Sequence, residues 1–304
     1  MNIVFMGSPD FAIPSLEKIF NSNHTIQAVV SNVDKRRGRG SELAPTIVKA
    51  KALELGLPVI EVEDLKSEEF EKTLRELNPD LFVVVAFRIL PKNVLEIPKI
   101  GSINLHASLL PKYRGAAPIH WAVINGEVET GCTIFFLDEK VDTGNIILQK
   151  KISIGENDTT SDIYAKLMED GSDQLLEAIN LIESENYDLK KQEDSKATPA
   201  PKLFNDNTRI DFNKTAGEVH NLIRGLNPFP VAWTTWNDKK VKIYSSKLGP
   251  EIKIAPSKLL EKEGKLLAGC REGTIEITEL QLPGKKRMSS DEFINGYEVE
   301  GSFK

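Results

Sequence analysis

Apolar residues in the first half of the chain fall into short blocks separated by amphipathic stretches. Asn2–Gly7, Thr25–Ser31 and Pro58–Val62 have strand length, and Asp80–Phe87 (DLFVVVAF) is apolar at nearly every position. A run of that kind suits a central strand covered on both faces. The stretches between carry helical spacing. Leu16, Ile19 and Phe20 share one face after an early Pro14, Thr46–Leu55 ends at Gly56, and Ser67–Leu77 opens on a good N-cap with acidic residues in its first turn. Alternating strands and helices predict a parallel sheet with right-handed crossovers.

Gly101–Ala107 continues the series as a strand, and Ala117–Asn125 as a helix ending at Gly126. Gly131–Leu137 and Asn145–Ile154 are two further strands whose short link predicts an antiparallel hairpin. A long helix follows from Thr159 to about Ser184, with Ser161 and Asp162 as candidate caps and Gly171 as a candidate bend. The polar stretch from Glu183 to Asn207 contains Pro199 and Pro201 and marks a linker. Beyond it, a helix over Ala216–Leu226 precedes short strands at Ala232–Trp236, Lys240–Tyr244, Lys265–Cys270 and Thr274–Gln281. That spacing predicts a small barrel, with a helical turn at Glu292–Tyr297. The pattern therefore divides the chain into an α/β domain over 1–188, a linker over 189–207 and a β-rich domain over 208–304.

Composition changes this picture little. The 304 residues are 40% apolar and 28% charged, with a mean hydropathy of -0.26, enough for two globular domains. A net charge of -6 gives no whole-chain sign of nucleic-acid binding. From Asp206 onward, however, 16 Lys and Arg stand against 14 Asp and Glu, leaving +2 for that part and -8 for the rest. The two cysteines, Cys132 and Cys270, have no metal-type spacing and fit a reducing, cytoplasmic setting. No His, Cys and carboxylate cluster has ligand spacing, so no metal is expected. The start, MNIVFMGSPDF, has the character of a first strand and not of a signal peptide. No apolar run approaches the roughly 18 residues needed to span a bilayer, and no membrane association is expected.

Candidate chemistry concentrates between Ser102 and Asp142. Asn104 and His106 lie two apart in a strand, so both side chains point to one face. Asp142 opens a D-T-G turn after a second apolar run. A lone strand histidine is more often structural than catalytic, and Asp142 alone fits a turn-forming Asx residue. Together, an amide donor, an imidazole and a carboxylate suit acyl transfer. A carboxylate beside an imidazole stabilises the charged ring. That ring and the Asn104 amide could then donate to an oxygen that gains negative charge, while Asp142 accepts a proton from an attacking amine. Ser108, Leu109, Leu110 and Pro111 leave this strand and could wall a flat ligand. Lys35-Arg36-Arg37-Gly38-Arg39-Gly40 is a basic loop without apolar periodicity, and Lys285, Lys286 and Arg287 follow a Pro-Gly turn. Taken alone, the first run is more often a solvated loop than a nucleic-acid contact, whereas for the second the two readings are equally good.

These residues also resemble the methionyl-tRNA formyltransferase family. The resemblance rests on MGSPDF near the start, VVVAF and ILP within 83–91, INLHASLLPKYRGAAPI at 103–119, ETGCTI and DTGNI. It continues past the linker with RIDF at 209–212, NPFP at 227–230 and LPGKKRMS at 282–289, so it spans essentially the whole chain. It implies a Rossmann-like, mostly parallel sheet domain followed by an OB-like β-barrel. It implies transfer of the formyl group of 10-formyltetrahydrofolate to the amine of methionine on initiator tRNA, by a monomer without a metal. The family's Asn-x-His pair and distant Asp fall on Asn104, His106 and Asp142. Its folate-contacting segment falls on Ser108–Pro111, with Phe87, Arg88, Ile89 and Leu90 lining the pteridine pocket. The family carries an inserted loop that reaches the tRNA acceptor stem, and Arg39 matches its G-R-G element. Arg36 and Arg37 add charge there, and Lys285, Lys286 and Arg287 are further candidates for tRNA contact. One departure is a shortened link between the VVVAF strand end and ILP, where Arg88 is expected to take a local role.

Three alternatives stay open on the sequence, one of them a non-catalytic tRNA-binding protein, against which the intact Asn104, His106 and Asp142 argue. Another folate-dependent formyltransferase could act on an amino-sugar nucleotide or on glycinamide ribonucleotide, but the chain after Asp206 and the basic loop argue for tRNA. A nicotinamide dehydrogenase is disfavoured because the first strand ends in Gly7-Ser8-Pro9 and lacks G-x-G-x-x-G.

Overall fold

The structure, a computed structural model, describes residues 1–37 and 42–304. In chain order the first elements are β1 (Asn2–Gly7), α1 (Ile13–Phe20), β2 (Thr25–Asn32), β3 (Lys35–Arg37), β4 (Glu42–Ala44), α2 (Ile47–Glu54), β5 (Val59–Val62) and α3 (Glu68–Glu76). Then come β6 (Leu81–Val85), α4 (Lys92–Leu95), β7 (Gly101–His106), β8 (Arg114–Gly115), α5 (Pro118–Ile124), β9 (Glu129–Phe136), β10 (Ile146–Ser153) and α6 (Thr160–Glu183). The chain closes with β11 (Pro199–Ala200), α7 (Ala216–Gly225), β12 (Ala232–Trp236), β13 (Lys239–Leu248), β14 (Leu259–Lys262), β15 (Lys265–Gly269), β16 (Thr274–Gln281), β17 (Met288–Ser289) and α8 (Ser290–Gly296).

These elements fold into two compact units. The first comprises residues 1–115, 131–152 and 165–199, and the second comprises 116–130, 153–164 and 200–304. The units are not two halves of the sequence, because α5 and the segment leading into α6 belong with the C-terminal residues. Local bonds explain this. Arg224 on α7 donates to the carbonyls of Gly155 and Asp158 at 3.2 and 2.8 Å, and Thr160 Oγ1 donates to Gly225 O at 2.7 Å.

The first unit is built on a seven-stranded sheet in the order β10-β9-β7-β6-β1-β2-β5. β1, β2, β5, β6 and β7 run parallel, while β9 is antiparallel to β7. Every residue of β6 is buried, as its unbroken apolar run requires. Burial of a side chain such as Leu81 or Phe82 contributes about 1.5–3 kcal/mol. The N-caps of α2 and α3 are Thr46 and Ser67, whose side chains accept from Lys49 N and Phe70 N.

Three local expectations change. Helix α6 runs through Gly171, where a Cβ would lie 2.8 Å from Cys132 Sγ and 3.1 Å from a Leu105 methyl. That glycine answers a close approach to the sheet and not a bend. The cap of α6 is Thr159 and not Ser161: its hydroxyl accepts the Asp162 N–H at 3.3 Å while the Asp162 carboxylate accepts the Thr159 N–H at 2.8 Å. The basic stretch after β2 is likewise not all loop. β3 and β4 pair antiparallel, with Arg36 opposite Leu43 and Arg37 opposite Glu42. Arg39 lies outside the described residues.

The second unit carries a sheet in the order β12-β13-β16-β15-β14, with β17 on β16. Its strands pair antiparallel throughout this order. Among the described residues no ladder joins β12 to β14, so the barrel expected here is an open sheet. Its inner face packs Val241, Ile243, Leu266, Ile275 and Ile277 with Val219 and Ile223 of α7. α7 starts with a full capping box between Thr215 and Glu218, and α8 with one between Ser289 and Glu292.

Thr215→Ala removes one side of the α7 box. It is expected to lower the unfolding free energy by about 1 kcal/mol, while Thr215→Asn keeps most of it. Urea unfolding followed by circular dichroism checks both.

Candidate active site

β7 lies between β6 and β9, and its register sets the site. Asn104 pairs with Val84 on one side and Phe135 on the other, and His106 stands opposite Thr133. Ile103 and Leu105 are buried. A slip of one residue would exchange them with the polar pair, so the apolar alternates hold Asn104 and His106 on a common face.

His106 is only 6% exposed. Its Nε2 lies 2.9 Å from the Tyr113 carbonyl. A carbonyl can only accept, so Nε2 carries the hydrogen. Nδ1 lies on the other edge of the ring, 3.7 Å from Asp142 Oδ2. The ring also meets Phe135 edge to face, with centroids 6.5 Å apart. The Asn104 side chain is half-buried and has no hydrogen-bond partner among the described residues.

Asp142 adopts a left-handed backbone, φ +57°. Its Oδ2 accepts the Gly115 N–H at 2.8 Å, so its carboxylate binds a distant segment. The turn-forming role falls to Asp138, whose carboxylate accepts the Lys140 N–H at 2.9 Å and the Thr143 hydroxyl at 2.6 Å. Gly144 completes the D-T-G turn, and a Cβ there would lie 1.7 Å from Phe136 O. Tyr113 and Gly115 thus serve the site through their backbone: one carbonyl orients the imidazole and one N–H orients the carboxylate.

Gln192 also reaches this centre, although it lies in the polar stretch expected to be a linker. It is 7% exposed. Its Nε2 donates to the carbonyls of Asp142 and Gly144 at 3.0 and 2.8 Å, and its Oε1 accepts from Arg114 Nε and Nη2 at 3.1 and 2.8 Å. No periodicity or motif in KKQEDS distinguishes this glutamine from its solvated neighbours.

The segment from Ser108 to Pro111 is anchored firmly. Ser108 is fully buried and donates to Lys112 O at 2.7 Å. Thr133 Oγ1 accepts the Leu110 N–H at 3.1 Å and donates to Ser108 O at 2.6 Å, while Gln149 donates to Leu110 O at 3.0 Å. Leu110 is buried with Phe135 and Ile146, whereas Leu109 and Pro111 keep partial exposure. In the other candidate segment, Leu90 packs in the core with Val84 and Val94. Arg88 lies against the Phe87 ring, 5.4 Å from its centroid, and its guanidinium donates to the carbonyls of Val62 and Glu63, each at 2.7 Å. The local role of Arg88 is therefore to tie its loop to the exit of β5. Arg88, Ile89 and Leu90 line a cleft of about 290 Å³ with Glu63–Lys66, and Ile89 is 73% exposed.

Among the candidates for nucleic-acid contact, Lys285 and Lys286 are exposed. Arg287 pairs with Glu279 and stacks 4.3 Å from the Tyr244 centroid. Arg36 and Arg37 lie in β3. Both cysteines are buried and free. Burial raises the Cys132 thiol far above the ordinary range and the Cys270 thiol to about 11, so neither is a ready nucleophile at neutral pH. Among the described residues, no group of three or more His, Cys, Asp and Glu could hold a metal, and no helix is long and apolar enough to cross a membrane.

Residues 1–179 match the family model "Formyl transferase", and residues 202–298 match "Formyl transferase, C-terminal domain". The methionyl-tRNA formyltransferase of Chlorobium luteolum is 46% identical over 99% of this chain and 98% of its own length. That of Chlorobium limicola is 47% identical over 99% and 97%. Among solved structures, an N-formyltransferase from Helicobacter canadensis, in complex with folinic acid and dTDP-3-aminofucose, superposes with a TM-score of 0.69 at 27% identity. The match covers 90% of this chain and 98% of that one.

Gly144→Ala cannot keep its turn in place, because the added methyl would overlap the Phe136 carbonyl. The carboxylate of Asp142 is expected to move away from His106, and a crystal structure of the variant would show their separation increased beyond 3.7 Å.

Proposed function

The chain belongs to the formyl transferase family, and from that premise we propose how it transfers a formyl group from 10-formyltetrahydrofolate to the amine of methionine on initiator tRNA. The relatives that match over nearly the full length carry that acceptor in their names. The observation that carries the mechanism is the arrangement at the end of β7: an Asn104 amide without a partner among the described residues, beside an imidazole whose Nδ1 faces the Asp142 carboxylate at 3.7 Å.

Asn104 donates its amide N–H to the formyl oxygen as that oxygen gains charge. It gives up no bond to a described residue in doing so, which is the preorganised donor such a step needs. His106 already uses its Nε2–H on Tyr113 O. Its Nδ1 and the Asp142 carboxylate form the pair that handles the proton. The methionyl nitrogen supplies the electron pair of the new C–N bond, and the bond from the formyl carbon to N10 breaks. The proton lost by the amine passes to His106 and Asp142 and is returned to N10, so charge and atoms balance. Gly115 N–H keeps one carboxylate oxygen oriented throughout.

For the folate, the residues fit a flat, partly apolar molecule. Leu109 and Pro111, in the segment that leaves β7 after His106, keep partial exposure, and Ile89 presents an apolar side chain on the Arg88 loop. For the tRNA, the basic candidates are Arg36, Arg37 and Arg39, with Lys285, Lys286 and Arg287 in the second unit. Phosphate contacts of this type release counterions and make binding salt-dependent.

The reading is tested by supplying 10-formyltetrahydrofolate with methionyl initiator tRNA, with a dTDP-amino sugar, or with glycinamide ribonucleotide. Formyl transfer is expected to the first acceptor alone; transfer to the sugar and not to the tRNA would overturn the assignment. Asn104→Ala is expected to reduce kcat about 10²–10³-fold, and Asp142→Asn at least about 10²-fold, in single-turnover assays. Replacing Arg36, Arg37 and Arg39 together with Gln is expected to weaken tRNA binding. It should also flatten the plot of log K against log salt by about 2, with folate binding unchanged.

A further inference from the structure

Gln192 lies outside the chemistry assigned above, yet its carboxamide is fully committed at the site. A glutamine amide has two N–H donors and an oxygen with two acceptor positions. All four are used: the donors on the carbonyls of Asp142 and Gly144, the acceptors on Nε and Nη2 of Arg114. These partners belong to the two segments that hold the reacting pair. Asp142 provides the carboxylate. Arg114 sits between Tyr113, whose carbonyl orients His106, and Gly115, whose N–H binds Asp142 Oδ2.

We propose that Gln192 is a positioning residue for formyl transfer: its carboxamide cross-links the Asp142 turn to the Tyr113–Gly115 segment and thereby sets the separation of His106 from Asp142. This rests on the catalytic reading above. Three features support it. The amide is buried, so water cannot replace its bonds freely. The turn it grips holds Asp142 at φ +57°, a left-handed backbone conformation that needs fixing from outside. Tyr113 on the other segment is held at φ +62°, and its N–H is fixed by Thr198 Oγ1 at 2.9 Å. The Arg114 bond to Asp194 is peripheral by comparison, because the Asp194 side chain is 82% exposed.

Four measurements test this. Gln192→Leu keeps the volume and removes every polar bond. It is expected to lower kcat about 10–100-fold, the loss that a displacement of about 1 Å causes, with KM for either substrate within about threefold of wild type. Gln192→Glu keeps the acceptor for Arg114 and loses both donors, and it is expected to lose kcat to the same extent. In an Asp142→Asn background, Gln192→Leu is expected to cost less than threefold more, because the group it positions is already gone. Unchanged kcat in either single variant, or equal losses in both backgrounds that follow a fall in Tm, would overturn the proposal. A readout without turnover separates it from the functional assignment. The chain has four histidines, so the His106 imidazole resonances can be followed in the whole protein. Gln192→Leu is expected to shift them alone among the four, and an unmoved His106 signal would overturn the positioning role even if formyl transfer were confirmed.

Discussion

The bond from His106 Nε2 to the Tyr113 carbonyl decides which edge of the imidazole is available for chemistry. A bond of this kind contributes only about 1 kcal/mol net to stability. Its larger effect is to exclude the other tautomer, since a carbonyl offers no hydrogen to an unprotonated Nε2. With Nε2 committed, Nδ1 is the edge left towards Asp142, and in the mechanism proposed above the oxyanion falls to Asn104. The arrangement works because β7 is held in place from both edges, by β6 and by β9, so that neither the ring nor the amide can slip in register.

Much of the first unit is legible in the sequence because its physics is local. The apolar run at β6, the helical spacing of α1 and α3 and the Ser67 cap each follow from neighbours a few residues apart. The alternation that pairs Asn104 with His106 is legible for the same reason. The partnership of His106 with Asp142 can be inferred only as chemistry, because they lie 36 positions apart with β8, α5 and β9 between them. The reason Asp142 faces the ring lies in Gly115 and in Gln192, which contact it from other parts of the chain. A buried glutamine in a polar stretch resembles an exposed one until the chain folds.

The second unit shows a different limit. Its strands carry readable alternation, as in β16, where Ile275 and Ile277 are buried. Strand β14 (LLEK) carries no such signal, since only Leu259 is buried there and the rest faces outward. Barrel closure also lies beyond the pattern. It depends on strand number, tilt and stagger acting together, and none of these is encoded in any single strand.

The saturated amide of Gln192 also has a consequence for sequence drift. Single-base changes from a glutamine codon reach Glu, Lys, Arg, His, Leu and Pro. None of these has a flat group with two donors at one atom and an acceptor at the next. Glutamate would confront two carbonyls, and arginine or lysine would confront Arg114. A tolerated replacement therefore has to follow a compensating change at Arg114 or in the D-T-G turn. Under the proposed positioning role, the bonds at Gln192 thus tie the changes open to this position to those at Arg114 and in the D-T-G turn.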